Sequence, residues 1–145
     1  MMDINLYQDA VHRLQVIPLW HDVLGYQSGH NAPARVIDKK LAAQDGLFFV
    51  AVEAGAVIGT VLAGYDGHRG WLYSVAVHSA RQHQGVGSAL VRHAEQALAA
   101  RGCTKINLQI VQDNEAVAAF YATLGYAVEK RVSMGRRVDG NIAPA

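Results

Sequence analysis

One cysteine, Cys103, stands in 145 residues, so no internal disulfide can staple the chain. A reducing compartment fits, and a cytoplasmic location is expected. No run of about 18 apolar residues exists, so no membrane-spanning helix is expected. The opening MMDINLYQDA lacks the basic-then-apolar pattern of a secretory leader. Net charge is +1, which gives no global argument for a nucleic-acid partner. The seven histidines, His12, His21, His30, His68, His78, His83 and His93, include no pair at a recognised ligand spacing, so no metal is expected. Repeats, linkers and low-complexity tracts are missing too.

What is present is one ordinary domain's worth of chain, read as residues 1–145. With 51% hydrophobic and 17% charged residues the composition is globular. INLYQ alternates and reads as an edge strand. From about Asp9 the apolar spacing turns helical through Val11, Leu14, Ile17 and Leu19–Trp20, and Pro18 predicts a kink or an early stop. ARVIDKKLAAQ, after Pro33, predicts a second helix ending before Gly46. Three strands follow, Leu47–Glu53, Ala56–Tyr65 and Trp71–Val77, joined by the turns Ala54–Gly55 and DGHRG. Short turns force antiparallel neighbours. A helix from Gly85 to Arg101 buries Val86, Ala89, Leu90, Ala94, Ala97 and Leu98. KINLQIV is a strand, and DNEAVAAFYATLG is a helix capped by Asp113 or Asn114, with Val117, Phe120, Tyr121 and Leu124 on its apolar face. YAVEKRVSMGRRV predicts one bent or two short final strands, and DGNIAPA a loose tail. The sum is an α/β chain of six to seven strands and about four helices.

The turn between Val77 and the third of these helices holds the chemistry. Gly85 and Gly87 lie two apart where helix propensity costs about 1 kcal/mol per glycine. One explanation is a simple loop. The other is a ligand approaching the backbone where a Cβ would intrude. Helix N-termini favour anions, phosphate above all. A dinucleotide motif is excluded, because Leu90 occupies its last glycine and an antiparallel meander precedes it. A P-loop is excluded because no lysine stands between Gly87 and Ser88. What remains is Q-x-x-G-x-G, with successive N–H groups from His83 to Ser88 able to wrap a diphosphate.

Q-x-x-G-x-G after an antiparallel meander resembles motif A of the GNAT family of N-acetyltransferases. DNEAVAAFYATLGY is similar to that family's N-x-x-A-x-x-x-Y-x-x-x-G segment, with Asn114, Tyr121, Gly125 and Tyr126 in register and Ala118 one place past the alanine. The resemblance covers about Leu47 to Arg137. GYDGHRG is also similar to a stretch in a bacterial subgroup named simply as acetyltransferases. The resemblance implies a mixed, mostly antiparallel sheet, splayed between strands 4 and 5. It implies acetyl-CoA as the acyl donor and an amine as the acceptor, attacking directly in a ternary complex. Val75, Ala76 and Val77 would face the pantetheine arm. Gln82, His83, Gln84, Gly85, Val86, Gly87 and Ser88 would bind the pyrophosphate. Asn114 would contact pantetheine or help hold the splayed strands, and Tyr121 would sit near the sulfur. The family often has glycine where His83 stands. A homodimer is left open, and no membrane partner is implied.

The chemistry needs a neutral amine, a stabilised oxyanion and a protonated leaving thiolate. Tyr121, with an ordinary pKa of about 10, suits a thiolate of about 8.5. The simpler alternative is that Tyr121 only packs. A base is harder to find. Some members carry a glutamate where this chain has Gln109, and Trp71–Val77 has no carboxylate. Glu115, Asp66, His68 and Tyr73, or a water chain, remain, with Asp66 and His68 read first as turn residues. A lysine amine of pKa about 10.4 carries a deficit of about 4.6 kcal/mol at pH 7, an α-amine of about 7.8 only about 1.1 kcal/mol. A site without a carboxylate therefore suits a low-pKa amine. Two other readings stay open: a coenzyme A-binding regulatory module without catalysis, and a protein-interaction domain.

Overall fold

The computed structural model of the chain describes residues 1–140; the expected loose tail lies mostly outside them. Two compact units form, Met1–Gln109 and the stretch from Ile110 onward.

The first unit is built on a five-stranded sheet in sequential order: β1 (Asp3–Leu6), β2 (Phe48–Glu53), β3 (Ala56–Tyr65), β4 (Gly70–Val77) and β5 (Ile106–Leu108). β1 to β4 form an antiparallel meander, and β5 joins β4 in parallel. Short turns enforce the antiparallel pairing of β2, β3 and β4, whereas the long stretch between Leu6 and Phe48 joins β1 to β2. The helix α3 (Val86–Ala99) supplies the crossover that the parallel β4–β5 pair requires. Ala54 and Gly55 close the β2–β3 turn, both at positive φ, as the tight primed hairpin turns demand.

Two helices, α1 (Asp9–Leu24) and α2 (Pro33–Ala43), pack on the unit that the sheet organises. α1 does not stop or break at Pro18. An interior proline costs about 3 kcal/mol. Burial on both sides outweighs it: Val16, Leu19 and Trp20 are all buried, and Trp20 lies in the core with Ile37, Phe48, Val50 and Leu62. The face differs from the expected one as well. Val11 and Leu14 point to solvent, while His12 is buried and its Nδ1 accepts from the Gln8 amide at 2.9 Å. On α3 the expected face is largely kept: Val86, Leu90, Ala94 and Leu98 are buried, joined by Val91.

Close approach of α3 to the sheet depends on Gly59. A Cβ there would lie 2.8 Å from Leu90 Cδ1, 3.0 Å from the Ala76 carbonyl oxygen and 3.1 Å from Val86 Cγ1. No side chain fits without moving the helix.

The second unit carries α4 (Glu115–Thr123). Asn114 is its N-cap, with Oδ1 accepting from the Val117 amide at 3.3 Å. The final strands expected over YAVEKRVSMGRRV do not form among the described residues, so the sheet has five strands rather than six or seven. The segment has a physical reason to stay irregular. It holds Glu129, Lys130, Arg131, Gly135, Arg136 and Arg137, and its apolar Val128, Val132, Met134 and Val138 are all exposed. Without a buried face, alternation gains nothing from a pleat.

Candidate functional site

β4 is the strand that makes the site, because it cannot pair evenly on either edge. Against β3 the register slips: Thr60 opposes Ala76, but Leu62 opposes Tyr73. Two residues of β4, Ser74 and Val75, thus face one residue of β3, a β-bulge. Ser74 takes φ +50°, unusual for a residue with a side chain. A chain of buried hydrogen bonds holds it there. Trp20 Nε1 donates to Thr60 Oγ1 at 2.8 Å, Thr60 Oγ1 donates to the Ser74 carbonyl at 2.9 Å, and the Tyr26 and Ser74 hydroxyls meet at 3.1 Å.

On its other edge β4 pairs with β5 through Gly70–Ile106, Trp71–Asn107 and Leu72–Leu108 only. β4 continues to Val77 while β5 ends, so the edge from Tyr73 to Val77 has no strand partner within the sheet. The two strands part where the sequence predicted a splay. β5 is also shorter than the expected Lys105–Val111, since the bulge turns the β4 edge away beyond Leu72. Val75 and Val77 are half-buried on this stretch and Ala76 is buried.

The turn after β4 leads into α3 through Ser79–Arg81, one short 3-10 turn. Gln82, His83, Gln84 and Gly85 are exposed, Gly87 and Ser88 half-buried, and Val86 is buried. The two glycines have different reasons. Gly85 is the N-cap residue at φ +83°, which only glycine adopts freely, and a Cβ there would meet nothing within 4 Å. Gly87 lies in the first helical turn. α3 has no side-chain cap, and the N–H groups of Val86, Gly87 and Ser88 find no acceptor among the described residues. Three aligned donors at a helix N-terminus with open space before them fit an anion, a phosphate among them. His83 departs from glycine at a cost: it too holds positive φ, +61°.

The amide side chains are turned inward more than expected. Gln82 Nε2 donates to the Val77 carbonyl at 3.4 Å, and Gln84 Oε1 accepts from Arg81 Nε at 3.0 Å. Arg81 in turn grips Glu53 of β2 with both terminal nitrogens, at 2.9 Å each. Sequence reading passed over this pair. Its signal is faint, a carboxylate at a hairpin tip and an arginine one residue before the motif.

In the second unit Tyr121 is buried, with Phe120 at 4.9 Å and Tyr126 at 5.6 Å between ring centroids. Burial pushes its phenol up to about 12. The apolar face expected on α4 narrows to Tyr121 alone; Val117 is exposed and Phe120 and Leu124 are half-buried. Asn114 is exposed and uses its side-chain oxygen as the cap.

The candidate bases fare poorly. Asp66 Oδ1 accepts from the His68 and Arg69 amides at 2.8 and 2.7 Å, and those bonds hold its carboxyl below the usual range. Asp66 and His68 also precede Gly70, at the far end of β4 from Val75. At about 3.3 Å per residue, five residues of strand separate Gly70 from Val75 by about 16 Å. Tyr73 faces α2, with Lys40 Nζ 5.6 Å from its ring centre. A hollow of about 280 Å³ opens there, lined by His30, Val36, Lys39, Lys40, Asp45 and Tyr73. Its one carboxylate, Asp45, is paired with Lys40 at 2.8 Å. Glu115 sits in the first turn of α4. No cluster of three or more metal-ligating side chains, and no helix long and apolar enough to cross a membrane, occurs among the described residues.

The profile of the acetyltransferase (GNAT) family matches residues 14–126. An acetyltransferase of Yersinia enterocolitica is 37% identical over 139 residues, covering 94% of this chain and 96% of that one. Among solved structures, the PaiA N-acetyltransferase of Thermoplasma acidophilum in complex with coenzyme A superposes with a TM-score of 0.75 at 16% identity, over 91% of this chain and 93% of that one. AAC(6′)-Iy in complex with the bisubstrate analogue CoA-S-monomethyl-acetylneamine gives a TM-score of 0.75 at 20% identity, over 94% and 98%. These two likenesses show a shared fold.

Proposed function

The chain belongs to the acetyltransferase (GNAT) family, and from that premise we propose that it moves the acetyl group of acetyl-CoA onto a primary amine, by direct attack in a ternary complex. The whole chain acts as one acetyltransferase domain in this reading, in keeping with a family match that runs across the boundary between the two compact units. The observation that carries the donor side is the uncapped N-terminus of α3 behind Gly85. The N–H groups of Val86, Gly87 and Ser88 would hold the diphosphate, and the unpaired β4 edge at Val75–Val77 would take the pantetheine arm. When bound, acetyl-CoA supplies the activated acetyl group. Tyr121 keeps its proton throughout the working pH range and is the donor to sulfur in this reading. A pKa of about 12 against about 8.5 makes full transfer to a free thiolate uphill by roughly 5 kcal/mol. Tyr121 therefore acts best as a hydrogen-bond donor while the carbon–sulfur bond is still breaking.

The acceptor follows from the missing base. Gln109 accepts no proton usefully, Asp66 is capped, and Asp45 is paired. An amine of low pKa, a small-molecule amine or a protein N-terminus, needs the least help. A cytoplasmic location suits both. The test is thermal shift with acetyl-CoA, followed by thiol release over an amine panel. Acetyl-CoA at 100 times its Kd should add about 2.7 kcal/mol of stability. Stabilisation without thiol release from any amine would favour a coenzyme A-binding regulatory module, and no stabilisation would sink the donor site.

A further inference from the structure

The turn that would carry the diphosphate does not support itself. His83 and Gly85 both sit at positive φ, α3 begins without a side-chain cap, and the amide bonds of Gln82 and Gln84 to backbone are long, 3.4 and 3.5 Å. One strong contact anchors it. Arg81 Nη1 and Nη2 donate to Glu53 Oε1 and Oε2 at 2.9 Å each, a fork-to-fork pair, and Arg81 Nε donates to Gln84 at 3.0 Å. Every nitrogen of the guanidinium is engaged inside the protein. Both side chains are about 30% exposed, so the pair is partly shielded from solvent. The carboxylate stands on the last residue of β2, immediately before a tight hairpin turn, so its base is the sheet.

We infer that Glu53 and Arg81 are a positioning pair that fixes the Gln82–Ser88 turn in the shape that receives the donor's diphosphate. The inference rests on the donor-site reading above. Arg81 is the only lysine or arginine between Trp71 and Val91. Its charge is matched by Glu53, and the phosphates are left to backbone N–H groups. The pair also keeps Glu53 from presenting a bare carboxylate beside an anion site. A bidentate arginine–carboxylate contact is specific to the guanidinium fork, which lysine lacks.

The test uses the full chain and two probes, acetyl-CoA and S-acetylpantetheine, which has the arm and the thioester but no diphosphate. Glu53→Gln and Arg81→Gln should each weaken acetyl-CoA binding about 3–10-fold while leaving S-acetylpantetheine within about twofold. The exchange Glu53→Arg with Arg81→Glu should restore acetyl-CoA binding to within about threefold of the parent. Arg81→Lys should not. Equal weakening toward both probes would mean a general loss of structure and overturn the inference. Tighter acetyl-CoA binding by Glu53→Gln would also overturn it, by showing that Glu53 withholds Arg81 from the phosphates. A parent that binds neither probe would remove the donor site itself, and the positioning role with it.

Discussion

His83 stands at φ +61° with its side chain in solvent, so the fold imposes a strained backbone and gains no packing in return. Left-handed backbone costs an L-residue roughly 1–2 kcal/mol. His83→Gly should therefore raise stability by about 1 kcal/mol in urea unfolding, less the flexibility that glycine adds to the unfolded chain. Acetyl-CoA affinity should stay within about threefold, because the proposed contacts are backbone groups. A large loss of affinity would assign the imidazole a phosphate contact instead. At Tyr121 the hydroxyl is the issue. Tyr121→Phe keeps the ring against Phe120 and Tyr126 and should leave donor affinity nearly unchanged. As the donor to sulfur it should lower kcat about 10²–10³-fold. Because burial holds this phenol at about 12, no alkaline limb below about pH 10 should belong to it. Parental kcat in the variant would assign the proton to water or another group.

Between elements, the distance from sheet to α3 is set at Gly59, where Leu90, Val86 and the Ala76 carbonyl leave no room for a methyl group. Gly59→Ala should destabilise by about 1–3 kcal/mol and weaken acetyl-CoA binding, since Val86 is both what it strikes and the first residue of the proposed anion cradle. Calorimetry and a binding titration on one sample read both effects. The β4 bulge hangs on Thr60 in the same way. Thr60→Val keeps the volume but leaves Trp20 Nε1–H without its acceptor in the core, and should cost about 1–3 kcal/mol. Such partnerships show why sequence goes only so far. The meander, the crossover and the α3 face follow from turns and periodicity, which are local. The bulge, the Gly59 contact and the Glu53–Arg81 pair join residues 14 to 31 positions apart that carry no local signature. α1 shows the converse: Pro18 is a strong local signal that distant burial overrides.

For the molecule as a whole, the response to acid should start with His12. Burial lowers its pKa from the ordinary 6.5, so the folded chain refuses a proton that the unfolded chain accepts. Stability from this source is fully present above pH 6.5 and falls as pH drops through that value. Asp9, Glu53 and Asp66 are held below the usual range by hydrogen bonds from Tyr7 and Arg13, from Arg81, and from backbone amides. Their contributions vanish only at lower pH, as each becomes protonated. Tm should thus decline in two stages from pH 7 to 3, and His12→Asn should remove the first. A single late transition in the parent would show that His12 is not kept neutral. The family was legible at this scale too: the Q-x-x-G-x-G turn and the DNEAVAAFYATLGY helix pointed to the acetyltransferase (GNAT) family, whose profile the chain matches. The general base was not legible, and each side chain put forward for it in the first unit is capped, distant from Val75 or turned toward α2.

The bulge at Ser74 also changes the parity of β4. Gly70 abuts Leu98 and Cys103, on the α3 side, whereas Ala76 joins the cluster around Trp20 of α1. Both numbers are even, and in an unbroken strand they would share a face. The extra residue works like an inserted letter in a reading frame, after which every side chain is read from the opposite side. Deleting Ser74 would restore regular pairing with Val75 to Val77 on their present faces, whereas regular pairing of the full-length strand would exchange inside for outside there. At this strand the number of residues, more than the identity of any one of them, decides which side chains turn toward α1 and which toward α3.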